Sequence, residues 1–434
     1  MKVASVKISP EWRVYVLGGI LCVGLMVCSR NFGDRGGPYF MASLTLAGIV
    51  YLLAIREFLA AARFPRRVVV LGLVLAAAWH VEFLRAPPGA DDDIHRYVWD
   101  GRLQRLGYNP YLVVPSDPAV KGLHTPETRN LNHPDLASPY PPGAELFFRA
   151  VTAIRESTFA LKVAFVICEF AIVFVLFDIS RCTVRSAHLV LAFAWNPLLA
   201  VEVAGSGHID IVGALLLLVS AAALARRWRA TAAVALGRAI AVKFLPVVLL
   251  PLYWKRVRIR DAALAATVVG LLYVPFLSHG RIPIGSLGTY IHSFWFNDPV
   301  FAALEHVAAP EFIAGGAVLI GILTAIWLRR RPEGLLSDAL AWPMAASLLC
   351  APVVYPWYLL WTLPFLRAAS TLPIIIWTVS IIPTYYVWHL RALGRPFVVP
   401  GWIMLLEYGP MAIAGVILGL RWLKRPEPTP CSAD

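Results

Sequence analysis

Long, uninterrupted apolar stretches are the feature of this chain that most limits its fold. They run for roughly 17–22 residues, the length that a helix needs to cross the hydrocarbon of a bilayer. Continuous runs predict helices, because the strands of a membrane barrel would be shorter and would alternate polar with apolar residues. The sequence, in which 59% of the residues are hydrophobic, therefore predicts an all-α, polytopic transmembrane helix bundle.

The apolar stretches predict about 12 full crossings plus one broken, re-entrant hairpin. Basic residues gather in alternate loops, which indicates that both termini are cytoplasmic. The hairpin is predicted at residues 230–254, because basic clusters flank both ends and Lys243 and Pro246 interrupt the middle. The crossings are predicted at residues 14–28, 39–61, 68–83, 159–177, 189–204, 209–225, 262–277, 312–328, 339–354, 359–366, 372–387 and 402–423.

A polar segment follows the third crossing, on the outer side of the membrane. Residues 87–157 contain proline, asparagine, histidine and several charges, and are too polar to cross. Within this outer-face loop, residues 93–106 and 144–154 have the periodicity of amphipathic helices lying on the surface. The whole chain, residues 1–434, is predicted to be a single integral-membrane domain that includes this loop.

Three adjacent carboxylates, Asp91, Asp92 and Asp93, open this loop in the stretch ADDDIHRYVWDGRLQRLGYNPY. A helix N-cap accounts for one of them, but not for three, because like charges at this spacing repel. A carboxylate held in this way can take a proton from a hydroxyl. All three are candidate catalytic residues, with Asp92 or Asp93 expected to be the base and Asp91 the most replaceable.

The remaining composition excludes several classes of site. The formal net charge of +13 is explained by basic cytoplasmic loops, and no basic stripe with stacking aromatics indicates nucleic acid. Six scattered cysteines form no CxxC pair, so neither a disulfide framework nor a metal knuckle is indicated. Hard cations prefer carboxylates, which leaves a divalent metal open, but no other ligand set points to a metal or cofactor.

Further polar and aromatic residues are predicted to line the same outer cavity. On a helix that starts at Asp93, three later residues share its face by the i, i+3, i+4, i+7 rule. The turn AGSGHID follows Glu202, which lies near membrane depth and is expected to have a partner. The predicted substrate-binding residues are Arg96, Tyr97, Asp100, His208, Asp210, Lys243, Tyr355 and Trp357.

Simpler explanations remain open for several of these residues. The AGSGHID turn is also consistent with a plain loop, and Lys243 with a lysine that extends to the membrane interface. Tyr355 and Trp357, in VVYPWY, belong either to an interfacial aromatic belt or to a surface that stacks on sugar rings or holds an isoprenoid chain.

Several motifs together resemble one known family. DDDIHRYVWDGRLQRLGYNPY, SPYPPGAELF, NPLLAVEVAGSGHID, AVKFLP and YPWYLLW resemble the bacterial polyprenyl-phosphomannose-dependent α-mannosyltransferases, within the C-type superfamily of integral-membrane glycosyltransferases. The resemblance spans residues 91–361. It implies an inverting enzyme that moves a hexose, above all mannose, from polyprenyl phosphate to an acceptor hydroxyl, with an aspartate as general base.

The resemblance also implies partners and a location. The donor is a polyprenyl-phosphate sugar that enters from the bilayer, and the acceptor is a glycan, a lipid or another hydroxyl compound from the aqueous side. The leaving phosphate needs positive charge nearby, for which Arg96, Lys243 and His208 are the candidates. The site is expected to face the periplasm or exterior from the cytoplasmic membrane, in contact with membrane lipids and not with nucleic acid.

Two other functions compete with this one. A transporter or flippase of lipid-linked sugars would suit the broken helix with its lysine, although the acidic residues lie in a long, one-sided loop and no inverted repeat is visible. A ligase or polymerase of the O-antigen type would use lipid diphosphate donors, but an outer loop rich in arginine and histidine is typical of those proteins, whereas the main motif here is acidic.

Overall fold

The chain folds almost entirely into helices. The computed structural model describes residues 9–89, 92–129, 131–181, 186–278, 283–330 and 338–423. These ranges contain no sheet, and one isolated parallel bridge joins Phe296 to Val353. The α-helices are α1 (Pro10–Arg30), α2 (Pro38–Ala60), α3 (Arg66–Arg85), α4 (Ile94–Arg105), α5 (Pro142–Ile154), α6 (Thr158–Arg181), α7 (Val190–Ala194), α8 (Asp210–Ala225), α9 (Arg229–Ile240), α10 (Leu250–Tyr253), α11 (Ile259–Tyr273), α12 (Leu287–Ser293), α13 (Pro299–Leu304), α14 (Pro310–Arg329), α15 (Asp338–Leu349), α16 (Leu372–Ser380), α17 (Tyr386–Ala392) and α18 (Gly401–Leu423).

The helices make this chain a multi-pass membrane protein. In the described ranges, eight segments are long and apolar enough to span a membrane, or nine if one bent segment counts as a span. The prediction of about twelve crossings was therefore too high. The eight segments are Pro10–Arg30, Pro38–Ala60, Arg66–Arg85, Thr158–Arg181, Ile259–Phe276, Pro310–Arg329, Ala369–Ala392 and Gly401–Arg421.

Three predicted crossings are interrupted before they reach the length of a span. The helix predicted at residues 209–225 has 16 residues, and the apolar helix within 339–354 ends at Leu349. The segment predicted at residues 359–366 contains two short 3₁₀ helices, Pro356–Trp361 and Leu363–Phe365, each with a proline in its first two positions. Proline cannot donate the hydrogen bond that continues a preceding helix. With eight spans both termini would lie on one side of the membrane, and with nine they would lie on opposite sides. The cytoplasmic location of both termini therefore stays a prediction.

The possible ninth span is bent by 66° between residues 187–194 and a π-helix, Leu199–Gly205. Asn196 and Pro197 lie at the bend. Pro197 lacks an N–H group, and the side-chain oxygen of Asn196 accepts a hydrogen bond from the backbone of Leu198 at 3.0 Å. The turn that follows the π-helix packs on α4, because Gly207 (φ +79°) has no side chain in the space next to Ile94.

The two helices predicted in the outer loop are confirmed, as α4 and α5. They pack against each other and against α6. Contrary to the prediction of a surface helix, α4 is buried along most of its length, including the charged residues Arg96 and Asp100. Burial of both charges is tolerated because they form an ion pair.

The interruption predicted in residues 230–254 is also present. Helix α9 ends at Ile240, and a 3₁₀ helix begins at Leu245, with Pro246 at its start. Helix α9 has 12 residues and α10 has four, so neither is long enough to cross a bilayer alone. Lys243 lies in the break between them; the re-entrant path of this segment stays a prediction.

Candidate active site

Asp92 is buried and fully engaged by Arg35. The guanidinium group of Arg35 donates to both carboxylate oxygens, at 2.6 and 2.7 Å, and the backbone N–H of Gly89 donates to one of them at 2.6 Å. Burial disfavours the charge on Asp92, but Arg35 outweighs this and holds the pKa of Asp92 below its usual value. This ion pair ties the start of the outer loop to the turn between α1 and α2.

Asp93 is the more accessible neighbour. Its side chain is 23% exposed, and Oδ1 accepts a hydrogen bond from the amide of Asn132 at 2.7 Å. Oδ2 lies 3.9 Å from Nδ1 of His208. This distance is longer than a hydrogen bond, so Oδ2 retains the capacity to accept a proton.

His208 connects Asp93 to two buried groups on other helices. Its Nε2 lies 3.1 Å from Oε2 of Glu202, which is carried by the π-helix. The hydroxyl of Tyr385 donates to the other oxygen of Glu202. The expected partner of Glu202 is thus His208, together with Tyr385.

Lys243 and Asp210 form a second charged group. Asp210, at the start of α8, accepts hydrogen bonds at Oδ1 from Lys243 Nζ at 2.8 Å and from Trp361 Nε1 at 2.7 Å. Nζ of Lys243 also lies 3.8 Å from the centroid of the Tyr358 ring, a cation–π distance. The Lys243 side chain is 26% exposed, so this cation is accessible to a ligand.

A row of stacked rings extends from His208. The imidazole is parallel to Trp357, with centroids 4.0 Å apart, and Trp357 is parallel to Tyr355 at 4.3 Å. Tyr355 stacks in turn on Phe296 at 4.4 Å. We call these three residues, Trp357, Tyr355 and Phe296, the aromatic wall. Of the two predicted aromatic residues, Trp357 contacts His208 directly and Tyr355 stacks behind it.

The other predicted residues on α4 make different contacts. Arg96 pairs with Asp100 at 3.0 Å and donates to the carbonyl of Leu136 at 2.7 Å. Tyr97 stacks on Phe148 at 4.3 Å. Burial, followed by the nearby charges of Asp93 and Asp210, raises the pKa of Tyr97 well above its usual value. Asp91 lies outside the described residues.

Asp100 also faces a second buried acid, Glu145 of α5. Oxygens of Glu145 accept hydrogen bonds from Ser138 and from Gln104, the latter at 2.7 Å. Burial and the charge of Asp100 raise the pKa of Glu145 well above its usual value. The direction of this shift favours a protonated Glu145 beside Asp100. Glu145 also helps to hold α4 against α5 through its hydrogen bond with Gln104.

We expect Glu145→Gln to be more stable than the unchanged protein at pH 8, by about 1 kcal/mol or more, and to lose this advantage near pH 5. A raised pKa in the folded state means that unfolding releases a proton, so stability falls as pH rises above the usual pKa of glutamate. Glutamine does not ionise. Thermal unfolding in detergent at the two pH values measures the difference; an equal change at both would contradict the protonated state of Glu145.

Several residues of this site were not predicted from the sequence. Arg35, Asn132, Trp361 and Tyr385 reach the acidic groups from distant parts of the chain. The short, glycine-rich loop around Arg35 is a weak signal for that residue, and Trp361 ends the YPWYLLW motif; Asn132 and Tyr385 carried no signal. In the ranges that the structure describes, no group of three or more histidine, cysteine or acidic side chains is arranged to hold a metal ion.

The fold and the site together define a multi-pass membrane protein with acidic, basic and aromatic side chains gathered where its helices end. The family model for the MptA/B family, described as alpha-(1→6)-mannopyranosyltransferase, N-terminal domain, matches residues 25–257, more than half of the chain. The chain belongs to this family of mannosyltransferases, and hence is a glycosyltransferase. No curated protein and no solved structure matches it.

Proposed function

We propose that this chain transfers mannose from a polyprenyl-phosphate donor to a hydroxyl group of a mannose-containing acceptor, with Asp93 as the general base. The family description names an α-(1→6) linkage, so the attacking group proposed here is a primary 6-hydroxyl. The eight candidate membrane spans in the described residues support a donor that is itself dissolved in the membrane.

The contrast between two neighbouring aspartates carries the assignment of the base. Both oxygens of Asp92 are held by Arg35, and its pKa is lowered, which makes it a poor proton acceptor. Asp93 has a partly exposed side chain and one oxygen without a hydrogen bond in the described part of the chain. A general base must reach the hydroxyl proton, and Asp93 satisfies this condition where Asp92 does not.

The proposed reaction is a single displacement. The 6-oxygen of the acceptor attacks the anomeric carbon while its proton passes to Oδ2 of Asp93. The bond from the anomeric carbon to the phosphate oxygen breaks, and polyprenyl phosphate leaves with the electron pair. One displacement inverts the configuration, so an α-linked product requires a β-linked donor.

Lys243 is the proposed partner of the leaving phosphate. It bonds Asp210 with one of its three donors and is partly exposed, so the others can bind phosphate oxygens. Arg96, also predicted for this role, is buried and already bonded to Asp100 and to loop carbonyls. Positive charge placed where negative charge develops stabilises the transition state, which favours Lys243 over Arg96.

The acceptor is proposed to approach through the outer loop. A cavity of about 400 Å³ in this loop is lined by Leu131 and Pro134, among others. Asn132, the partner of Asp93, lies between these residues in sequence.

The basic residues that follow α2, α6 and α14 support a cytoplasmic location for those helix ends. This in turn supports an outer location for the loop at residues 87–157.

Reconstituted protein tests this function. Purified chain in detergent is supplied with labelled polyprenyl-phosphate mannose and a mannose oligosaccharide, with a nucleotide-linked mannose in a parallel reaction. We expect product only from the lipid donor, with a new α-(1→6) bond seen by linkage analysis. Transfer from the nucleotide sugar but not from the lipid would refute the proposed polyprenyl-phosphate donor. A product with a different linkage would refute attack by the 6-hydroxyl group.

We expect Lys243→Met to lower kcat/KM for the lipid donor by about 10–100-fold, since a charge-assisted hydrogen bond contributes roughly 1.5–3 kcal/mol. The Lys243→Met/Asp210→Asn double variant removes the unpaired carboxylate and separates this loss from misfolding. Arg238→Met is the matched control, because Arg238 is an exposed cation on the adjacent helix α9. Unchanged donor kinetics in a folded Lys243→Met protein would refute the role of Lys243.

A further inference from the structure

We propose that Glu202 is a positioning residue that keeps His208 protonated, so that Asp93 acts beside an imidazolium ion and not beside a neutral ring. The proposal rests on the proposed function of Asp93. It assigns His208 a role beside the base, and it gives a role to the π-helix and to Tyr385, neither of which contacts the reacting groups directly.

The geometry around the imidazole ring leads to this proposal. His208 is buried, and each ring nitrogen faces a carboxylate: Nε2 is 3.1 Å from Glu202, and Nδ1 is 3.9 Å from Asp93. A neutral imidazole has one N–H donor and one acceptor. Neither ring nitrogen makes a hydrogen bond with the described residues, so the two carboxylates act on the ring through their charge, which favours its doubly protonated form.

The charges of the neighbouring groups point the same way. Asp92 is balanced by Arg35. Lys162, which packs beside Gly207, is already bonded to three carbonyls at the end of α3. In the part of the chain that the structure describes, the ion pairs of Glu202 and Asp93 are both with His208, and the charge of Arg35 also acts on Glu202.

An uncharged His208 would leave Asp93 without its ion-pair partner among the described residues, in a site that is proposed to admit a phosphate as well. A phosphodiester carries negative charge itself, so its approach would add to the repulsion. A protonated His208 offsets one of the two carboxylates. Its charge also offsets part of the repulsion between Asp93 and the phosphate while the lipid donor excludes water from the site.

Two further observations support the charged ring. Burial disfavours the charge on His208, but Glu202, and then Asp93 and Asp92, outweigh it and raise the pKa of His208 above its usual value. The ring also lies parallel to Trp357 at 4.0 Å, and a cation against an indole face is favourable. Tyr385 fixes the other oxygen of Glu202, which orients the carboxylate toward the ring.

The pH dependence of transfer tests the proposal. In Glu202→Gln the carboxylate is lost and its shape is kept, so His208 should lose its proton at lower pH. We expect the alkaline limb of the kcat/KM profile to shift to lower pH by at least about one pH unit. At a pH on that limb, kcat/KM should fall about tenfold, whereas on the acid side it should change little. An equal fall at every pH would refute the proposal.

Histidine NMR provides a readout that does not depend on activity. The ¹⁵N-histidine signal of His208, assigned by its disappearance in His208→Gln, should titrate at lower pH in Glu202→Gln than in the unchanged protein. If this shift is found and no mannose is transferred, the ion pair stands and the proposed function fails. If the signal titrates equally in both proteins, the role of Glu202 is refuted, whatever the activity.

The chain contains a matched control for this experiment. His80 and Glu169 form a second buried histidine–glutamate pair, 2.9 Å apart and away from Asp93. Glu169→Gln should affect stability and leave the alkaline limb in place. If Glu202→Gln does not fold, His208→Gln takes its place in the experiment. The pH profile of kcat/KM in His208→Gln should lack the alkaline limb. If the limb is retained, it does not arise from His208 and the proposal is refuted.

Discussion

Replacing Asp93 with asparagine is expected to lower kcat about 10²–10⁴-fold, the usual contribution of a general base. The amide has nearly the same size and still meets Asn132, but it cannot accept the proton of the acceptor hydroxyl. Binding of the lipid donor should change little, because Lys243 and the aromatic wall are intact. Steady-state transfer from labelled polyprenyl-phosphate mannose, with a separate measurement of donor binding, distinguishes kcat from affinity.

Asp178→Asn is the control for this substitution. Asp178 is a half-exposed acid near the end of α6, where it pairs with Arg226. Its replacement should leave transfer nearly unchanged, because it lies at the far end of α6 from the loop that carries Asp93. Full activity in a folded Asp93→Asn protein would remove Asp93 from the reaction, and the base would have to be sought elsewhere.

Replacing Arg35 with alanine is expected to destabilise the protein by about 3–5 kcal/mol, the usual effect of removing one partner of a buried ion pair. The side chains of Arg35 and Asp92 are only 6% and 5% exposed, so water cannot take the place of the guanidinium. The midpoint of thermal unfolding in detergent measures the loss. Transfer at low temperature, where the variant is folded, should fall less than in Asp93→Asn.

The pH dependence and two further variants check this explanation. Because the pKa of Asp92 is lowered in the folded state, the ion pair stabilises the protein above the usual pKa of aspartate and is lost as pH falls through the lowered value. Arg35→Met/Asp92→Asn should recover part of the stability. As a control, Arg85→Ala removes an exposed ion pair with Glu82 and should lower the free energy of unfolding by less than about 1 kcal/mol. If Arg35→Ala lowered it by as little, the stabilising role of the buried ion pair would be refuted.

The sequence predicted the features that depend on local patterns. The two helices of the outer loop and the break at Lys243 are present where periodicity and proline indicated them. The count of crossings was wrong for a physical reason: apolar composition persists through residues 339–366, although Pro352, Pro356 and Pro364 interrupt the helices there. Hydropathy measures burial in lipid or protein, and it does not register where a helix ends.

The contacts that build the site could not be predicted in the same way. Arg35 and Asp92 are 57 positions apart in the chain, and Trp357 reaches His208 from a distant segment. Pairing at such separation depends on how helices pack, which a single sequence does not state. Helix periodicity placed Arg96 on the same face as Asp93, and the resemblance made it a candidate for the phosphate. The same periodicity is equally satisfied by the ion pair of Arg96 with Asp100.

Trp357 stacks on His208, although the two residues come from opposite sides of the boundary at residue 257 where the family match ends. The acidic groups, His208 and Lys243 all precede that boundary, whereas the aromatic wall follows it. On the proposed function, the base and the partner of the phosphate therefore lie in one stretch of polypeptide, and the aromatic wall lies in another. A chimaera that exchanges only the later stretch with that of a relative offers a route to new substrate preference with the original chemistry retained.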